Sequence, residues 1–289
     1  MLAAVRLPTV DCELTNMKRF GLLHHPKIDE SRRLAQETEV ALRHLGATVW
    51  STSAWEESEV LRRACEADLL IAFGGDGTIV RTARITAGCN LPILGVNLGR
   101  LGFLAELQPW ELRDNLEVLL SGDFWLEERL MLHADLQRGQ RVVQSFEALN
   151  DVVVSRGRIA RVVRVDVYVN GQHLTQYVAD GVIVATPTGS TAYSLAAGGP
   201  IVDPCLFNLL LKPIAPHLTV ATAVVLPREA QVHLELHTEY DSTCTVDGQV
   251  DVPLENGDLV VVTASRNVCR FVRLGDRNYF YRTLLERLR

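Results

Sequence analysis

Several features that would assign this chain to a familiar protein class are missing from its sequence. Basic residues are not in excess, since 29 Lys and Arg stand against 35 Asp and Glu and the formal net charge is −6. Broad nucleic-acid binding needs a basic face, so that class is not expected. The longest stretch without a charged residue, Gly181 to Val202, holds two prolines and four glycines. Such a stretch is not typical of a membrane-spanning helix, so we expect no membrane partner.

Cysteine is scarce, and its spacing excludes further classes of protein. The 6 cysteines lie far apart and form no C-x-x-C pair and no Cys/His cluster. We therefore expect neither structural zinc nor a disulfide framework, and interpret the cysteines as small buried apolar residues. Asp11 and Glu13 stand where a secretory signal would be apolar, which predicts a cytoplasmic protein. Residues 1–16 are predicted to be a loose extension.

The composition that remains is that of an ordinary globular chain of about two domains. Hydrophobic residues make up 47% of the sequence and charged residues 22%, which are ordinary values for a globular protein. The chain has 289 residues, and domains have roughly 150 residues each, so two domains are expected. Between residues 17 and 124, short apolar runs alternate with helical periodicity, and residues 68–73 are apolar without alternation. This pattern predicts an α/β domain with a parallel, Rossmann-like sheet. The predicted strands are 20–23, 48–50, 68–73 and 92–96, and the predicted helices are 29–45, 55–65, 78–87 and 110–120.

From residue 125 to about 265 the pattern changes to short, often alternating runs that predict a second, β-rich domain. Asn170-Gly171 lies between two such runs and indicates a tight hairpin. Residues 266–289 end in a helical pattern and are expected to pack back on the first domain. The predicted strands of the second domain are 130–137, 152–155, 162–169, 181–185, 220–225, 231–235, 243–246 and 259–264.

The first motif that carries chemistry is Gly74-Gly75-Asp76-Gly77-Thr78, between a buried strand and a helix. Glycines there let a phosphate approach the backbone, and a helix N-terminus offers free N–H groups. A carboxylate in such a loop would repel a phosphate, so Asp76 is a candidate general base or metal contact. The alternative is that Asp76 caps the helix.

The second motif runs from Thr186 to Tyr193 and reads TPTGSTAY, with Gly198-Gly199-Pro200 after it. This density of hydroxyl residues, glycine and proline is poor material for a core. It suits a surface where backbone and hydroxyl groups meet a polar ligand and Tyr193 offers an aromatic face. The alternative is an ordinary turn rich in Ser and Thr.

Taken in order, the motifs resemble those of the NAD kinase family. They are GGDGT at 74–78, NLGRLGFL at 97–104, Asn150-Asp151, Asp180-Gly181, TPTGSTAY at 186–193 and DGQ at 247–249. The resemblance covers about residues 18–282 and implies an α/β domain followed by a β-sandwich-like, NAD-binding domain. It also implies phosphorylation of the adenosine-ribose 2′-hydroxyl of NAD, with ATP as donor, a divalent metal such as Mg²⁺, and a homodimer or homotetramer.

The same resemblance implies roles for individual residues. Asp76 would be the proton acceptor, with Gly77 beside it contacting the dinucleotide, while Asn150 and Asp151 would hold the adenosine half. Asp180 and Ala192 would lie by the nicotinamide carboxamide, and no residue is assigned as a metal ligand. Further predicted contacts are Gly74 and Gly75 in the loop, Thr188, Thr191 and Tyr193 around the adenine end, Arg81 and Arg161 toward phosphates, and Ser194, Ala196 and Gln249.

Two positions depart from the family's usual pattern, and two rival functions share part of it. Asp151 stands where Glu is common, and Ala196 stands where Ser is frequent. The rivals are a lipid or sugar kinase with the same GGDG loop, and a dinucleotide sensor without activity. A lipid kinase should show an apolar channel or basic face, and a sensor should lack Asp76. The sequence leaves open the choice between ATP and polyphosphate, and between NAD and NADH.

Overall fold

The computed structural model describes residues 17–99, 102–157, 161–217, 220–277 and 279–287. The chain divides into two compact units: unit 1 contains residues up to Glu128 and from Cys269 onward, and unit 2 contains Arg129–Val268. The predicted domain boundaries, at residues 125 and 265, lie a few residues before these divisions. The predicted extension, residues 1–16, lies outside the described residues.

The described helices and strands are numbered in chain order. The helices are α1 (Asp29–His44), α2 (Glu57–Ala64), α3 (Asp76–Thr86), α4 (Pro109–Ser121), α5 (Tyr193–Ala196) and α6 (Tyr279–Arg287). The strands are β1 (Arg19–His24), β2 (Thr48–Ser53), β3 (Leu69–Gly74), β4 (Pro92–Asn97), β5 (Trp125–Arg138), β6 (Arg141–Ala148), β7 (Asp151–Arg156), β8 (Val163–Val169), β9 (Gln172–Ala179), β10 (Gly181–Ala185), β11 (Asn208–Ile214), β12 (Val224–Pro227), β13 (Val232–His237), β14 (Ser242–Val246), β15 (Val250–Leu254) and β16 (Leu259–Arg273).

Unit 1 is the predicted α/β arrangement. Strands β2, β1, β3 and β4 lie side by side in that order and pair in parallel. Every residue of β3 is buried, as its uninterrupted apolar run predicts for a strand with both faces covered. The last part of β16 pairs in parallel with β4 at Arg270 and Phe271. The parallel strands end at one edge of the sheet, where open α/β sheets bind ligands, and GGDGT follows β3 at that edge.

Unit 2 is the predicted β-rich region. Strands β12, β11, β10, β7, β14 and β15 form one sheet in which neighbours pair antiparallel. In the second sheet of unit 2, β13 lies between β16 and β8, and β8 pairs with β9. Inward-facing residues of both sheets share one apolar core, as in a β-sandwich. Asn170 and Gly171 have φ of 52° and 77°, the positive values that the predicted hairpin between β8 and β9 requires.

Several strands of unit 2 differ from the sequence prediction. Strands β6, β9, β11 and β15 have no counterpart among the predicted strands, although the hairpin at Asn170-Gly171 indicates β9. Strand β12 covers Val224–Pro227 rather than 220–225, β5 begins at Trp125 rather than at 130, and β16 continues to Arg273 rather than ending at 264. Residues 141–145 of β6 are exposed, so β6 lacks the apolar alternation that indicates a half-buried strand. No helix of the described residues is long and apolar enough to cross a membrane.

The interpretation of all the cysteines as small buried apolar residues is wrong for Cys65 and Cys89, which form a disulfide. Cys65 and Cys89 are bonded, with their Cα atoms 5.0 Å apart, a separation that a disulfide spans without backbone movement. Cys65 ends α2 and Cys89 ends the turn after α3, so packing of these two helices joins residues that are distant in sequence. Cys244 and Cys269 are buried thiols, as predicted, and Cys205 is a partly exposed one.

Candidate functional site

The GGDGT loop joins β3 to α3 in unit 1. Gly75 is the N-cap of α3 and has an extended backbone, and α3 begins at Asp76. A Cβ atom added to Gly75 or Gly77 would meet no heavy atom within 4 Å, so the space beside both residues is open. At Gly74, in contrast, a Cβ atom would overlap the side chain of Thr78. The loop therefore offers bare backbone and the N-terminus of α3 to an anion.

The carboxylate of Asp76 does not cap its own helix. It accepts hydrogen bonds from the backbone N–H groups of Phe103, at 2.7 Å, and Leu104, at 3.2 Å. A Cβ atom at Gly102 would overlap this carboxylate, so only glycine allows the segment to come so close. The capping alternative is therefore not what the geometry shows, because both oxygens are oriented by the NLGRLGFL segment instead.

Arg81 lies on the second turn of α3 and is engaged within unit 1. Arg81 and Arg84 each donate to the same oxygen of Glu57, both at 2.7 Å. The Arg81 guanidinium also stacks on the ring of Trp55, 4.6 Å from its centroid. Two cations share one carboxylate here, so the cluster keeps an excess of positive charge on the helix that follows the GGDGT loop.

Asp247 holds the loop that contains Asn150 and Asp151 in unit 2. Its carboxylate accepts hydrogen bonds from the N–H groups of Leu149 at 2.9 Å, Asn150 at 2.7 Å and Asp151 at 3.1 Å. Its own N–H donates to the carbonyl of Asp151. Asp247 has a φ of 52°, a region that Asp tolerates better than most residues. Gln249 is the only residue of this turn with a predicted role, and Asp247 is not among the predicted site residues, although the Asp-Gly turn itself could indicate it.

Asp151 is a buried carboxyl at the start of β7. Its side chain is almost wholly covered, with 4% of the residue exposed. Burial, and secondarily the negative charge of Asp247, raise the pKa of Asp151 to about 7. A carboxyl with this pKa changes its charge near neutral pH, which is common in groups that meet a ligand.

The TPTGSTAY motif packs directly against the Asn150 loop. The Thr186 hydroxyl donates to the carbonyl of Leu149 at 2.6 Å, and the Thr186 N–H donates to the carbonyl of Asn150 at 2.9 Å. A Cβ atom at Gly189 would overlap the backbone of Asn150. The motif therefore packs against the Asn150 loop, and its hydroxyl groups and glycine permit this close contact.

A cavity of about 430 Å³ in unit 2 brings several predicted residues together. Its lining includes the predicted Asn150, Asp151, Ala192 and Tyr193, together with Val153, Ser155, Thr245, Asp247 and Gly248. Tyr193 is 47% exposed, so its ring is available to a ligand. A larger cavity of about 1020 Å³ lies between α1 and α4 in unit 1, and no predicted site residue lines it. The predicted site residues therefore favour the smaller cavity as the ligand-binding site.

Other predicted residues of unit 2 do not line this cavity. Thr188 is buried and accepts a hydrogen bond from Arg129 at 3.1 Å, and Thr191 donates to the carbonyl of Thr188. Asp180 pairs with Arg156 at 2.9 Å, and Arg161 lies over the ring of Tyr240 at 5.8 Å. Ser194 is buried, Ala196 is exposed and Gln249 is partly exposed.

Comparison with known protein families gives two matches that together span most of the chain. Residues 18–124 match the model of the ATP-NAD kinase N-terminal domain, and residues 149–274 match that of the ATP-NAD kinase C-terminal domain. An NAD kinase of Dehalococcoides mccartyi is 40% identical over 273 residues, covering 94% of this chain and 96% of the relative. An NAD kinase of Chloroflexus aurantiacus is 43% identical over 273 residues, covering 94% and 99%.

Solved structures with the same fold are also kinases of this kind. Yeast NADH kinase complexed with NADH aligns with a TM-score of 0.82 at 25% identity, covering 94% of this chain and 88% of the yeast chain. An NAD kinase from Archaeoglobus fulgidus in complex with ATP aligns with a TM-score of 0.74 at 25% identity, covering 93% and 98%. The predicted fold class, an α/β region followed by a β-rich one, is confirmed by these neighbours.

Proposed function

The chain belongs to the ATP-NAD kinase family, and we propose that Asp76 is the general base of its phosphoryl transfer. The protein is an ATP-dependent NAD kinase, as predicted, and transfers the terminal phosphate of ATP to NAD to make NADP. The rival predictions of a lipid or sugar kinase and of an inactive sensor do not agree with these relatives. The observation that carries the proposal for Asp76 is its orientation by two backbone amides rather than by its own helix.

The acceptor is the 2′-hydroxyl of the adenosine ribose, a poor nucleophile until its proton is accepted. Asp76 takes this proton as the bond to phosphorus forms, which is the usual work of a carboxylate general base. Phosphoryl transfer otherwise depends on positioning and on charge stabilisation. The backbone at Gly75 and Gly77, which is open on the side where a Cβ atom would stand, and the positive charge of Arg81 are suited to bind the phosphates.

NAD binds in unit 2, with its adenosine half in the 430 Å³ cavity. The ionised carboxylate of Asp151 accepts hydrogen bonds from ribose hydroxyls, and Asn150 contacts the same half. Asp151 is one methylene shorter than the usual Glu, and its near-complete burial fixes its position. Tyr193 stacks with the base, and the remaining contacts are proposed for Gly74, Asp180, Thr188, Thr191, Ala192, Ser194, Ala196, Arg161 and Gln249.

A divalent metal, Mg²⁺, is proposed to enter with ATP. The described residues contain no group of three or more His, Cys, Asp or Glu side chains that could hold a metal ion. Mg²⁺ usually keeps several water ligands and binds substrate phosphates, so a metal that enters with ATP does not require such a group of side chains. When bound, the metal neutralises charge that develops on the transferred phosphoryl group.

A cytoplasmic homo-oligomer, a dimer or tetramer, is proposed as the working form of the enzyme. The cavity of unit 2 is small for a dinucleotide, because binding pockets cover most of the surface of their ligands. A second copy of the chain would supply the missing enclosure. Light scattering after size-exclusion chromatography, with and without NAD, measures the mass of the particle, and a monomer in both would contradict this.

Asp76→Asn tests the general base. Asn preserves the size of the side chain but cannot take the proton, so we expect kcat to fall by roughly 10²–10⁴-fold. The affinity for NAD should change little, since only the transition state uses the proton transfer. The measurements are a coupled assay for NADP and a calorimetric titration with NAD.

Asp114→Asn is the matched control, because Asp114 is an exposed aspartate of α4 in the same unit. It should leave kcat and NAD affinity unchanged. A folded Asp76→Asn protein with near-normal turnover would rule out the general-base role and leave the kinase assignment intact.

A further inference from the structure

We propose that Arg287, on helix α6, is a positioning residue for the carboxylate of Asp76 and acts through the peptide between Phe103 and Leu104. The inference rests on the proposed role of Asp76 as the base, and it concerns unit 1 alone. No predicted motif includes Arg287, because the motifs end at residue 249 and the helical pattern at the end of the chain predicts only packing on the first domain.

The peptide group between Phe103 and Leu104 is bonded on both sides. Its N–H, that of Leu104, donates to Asp76 Oδ1 at 3.2 Å, and its carbonyl, that of Phe103, accepts from Arg287 Nη1 at 3.1 Å. Hydrogen bonds in such a chain polarise one another, so the arginine strengthens the N–H as a donor. The arginine also fixes the plane of the peptide and with it the direction in which the N–H points.

The next carbonyl along the segment is held by a second arginine. Arg273 Nη1 donates to the carbonyl of Leu104 at 3.0 Å, and Arg273 is 1% exposed. Its guanidinium pairs with Glu127 at 2.7 Å and with Glu106 at 3.1 Å. These carboxylates raise the pKa of Arg273 above its ordinary value despite its complete burial. Arg273, at the end of β16, thus holds the carbonyl of Leu104, and Arg287, at the end of α6, holds the carbonyl of Phe103.

Arg287 sits among aromatic and charged groups that define its position. Its guanidinium lies 5.2 Å from the ring centroid of Tyr279 and 5.9 Å from that of Phe103. Burial lowers the pKa of Arg287, Arg273 lowers it further, and Tyr279, Asp76 and Glu106 oppose this effect. The Arg287 guanidinium is therefore held where it donates to the Phe103 carbonyl.

The approach of Asp76 to the segment leaves little tolerance for movement. Gly102 precedes the two amide donors, and a Cβ atom at that position would overlap the Asp76 carboxylate. A shift of the segment would therefore rotate the carboxylate or break its hydrogen bonds. Displacements of about 1 Å at a reacting group can cost roughly a hundredfold in rate. Positioning from α6 is thus expected to affect catalysis without any contact between Arg287 and substrate.

The test compares Arg287→Ala, Arg287→Lys and the control Arg282→Ala. Arg282 is exposed on the same helix, and its only ion pair, among the described residues, is a 4.0 Å contact with Asp276. We expect Arg287→Ala to lower kcat by roughly ten- to a hundredfold, with the KM for NAD and the Tm nearly unchanged. Arg287→Lys should recover part of kcat, because its ammonium can still donate to the Phe103 carbonyl. Arg282→Ala should behave as the wild type.

Two results would overturn the inference. One is an unchanged kcat in Arg287→Ala, and the other is a fall in kcat that accompanies a lower Tm and a higher KM and that Lys does not rescue. The double variant Asp76→Asn/Arg287→Ala separates this inference from the proposal on which it rests. If Arg287 acts through Asp76, the second substitution adds little to the first. If the single variant Asp76→Asn keeps the wild-type kcat, the general-base role of Asp76 is refuted. If Asp76→Asn loses activity but Arg287→Ala keeps the wild-type kcat, the positioning role of Arg287 is refuted.

Discussion

The raised pKa of Asp151 predicts that the affinity for NAD increases with pH. The carboxyl is protonated below a pKa of about 7, because burial and the charge of Asp247 disfavour its ionised form. Ribose hydroxyls donate best to the ionised form, which accepts at both oxygens. Raising the pH from 6 to 8 therefore converts Asp151 from its protonated form, which binds NAD weakly, to its ionised form, which binds NAD strongly.

The size of the effect follows from the fraction ionised. With a pKa of about 7, about one tenth of Asp151 is ionised at pH 6 and about nine tenths at pH 8. If only the ionised form binds well, the Kd for NAD falls about tenfold over this interval. Binding at pH 7 also releases about half a proton, because NAD draws the carboxyl into its ionised state.

Calorimetric titration with NAD in the absence of ATP measures both quantities. The Kd is determined at pH 6, 7 and 8, and buffers of different ionisation enthalpy report the released protons. Asp151→Asn cannot ionise, so its Kd should be higher at pH 8 by roughly tenfold or more and should not vary with pH. Asp151→Glu, which has the residue common in the family, should remain active and keep a pH dependence.

The reasoning would be refuted by a Kd that is constant from pH 6 to 8 in the wild type. An equal pH dependence in the wild type and in Asp151→Asn would assign the effect to another group. Unchanged affinity at pH 8 in Asp151→Asn would remove Asp151 from the site altogether.

Two further predictions concern the same pair of carboxyls. Because the folded pKa of Asp151 lies above its unfolded value of 3.8, its contribution to stability is lost as the pH rises from about 4 to 7. Asp151→Asn should therefore be more stable than the wild type by up to about 4 kcal/mol at pH 8.5 and by only about 1 kcal/mol at pH 4.5. Denaturant unfolding of the free proteins measures this difference, and a difference independent of pH would contradict the reasoning. Asp247→Asn keeps an acceptor oxygen for the Asn150 loop but removes the charge beside Asp151, so the pH midpoint of NAD binding should move to lower pH; an unmoved midpoint in the titrations would exclude that electrostatic role.

The local architecture and the identity of the family could be predicted from the sequence. The uninterrupted apolar run of β3 and the glycines after it specify a buried parallel strand and an open loop, because strand burial and turn geometry depend on residues that are adjacent in the chain. Asn170-Gly171 likewise specifies its hairpin within two residues. The order of the motifs resembles that of the NAD kinase family, and the family models and the relatives confirm this resemblance.

Only the tertiary structure determines the hydrogen-bond partners of the site's carboxylates. Asp76 binds amides 27 and 28 residues away, and Asp247 binds amides nearly a hundred residues away. Cys65 and Cys89 also pair across 24 residues, against the prediction from their spacing. Such contacts arise when helices and strands pack, and no periodicity or turn chemistry within a few residues encodes them. The sequence shows which carboxylates are present, while packing determines which amides orient them and which of them is buried enough to titrate near neutral pH.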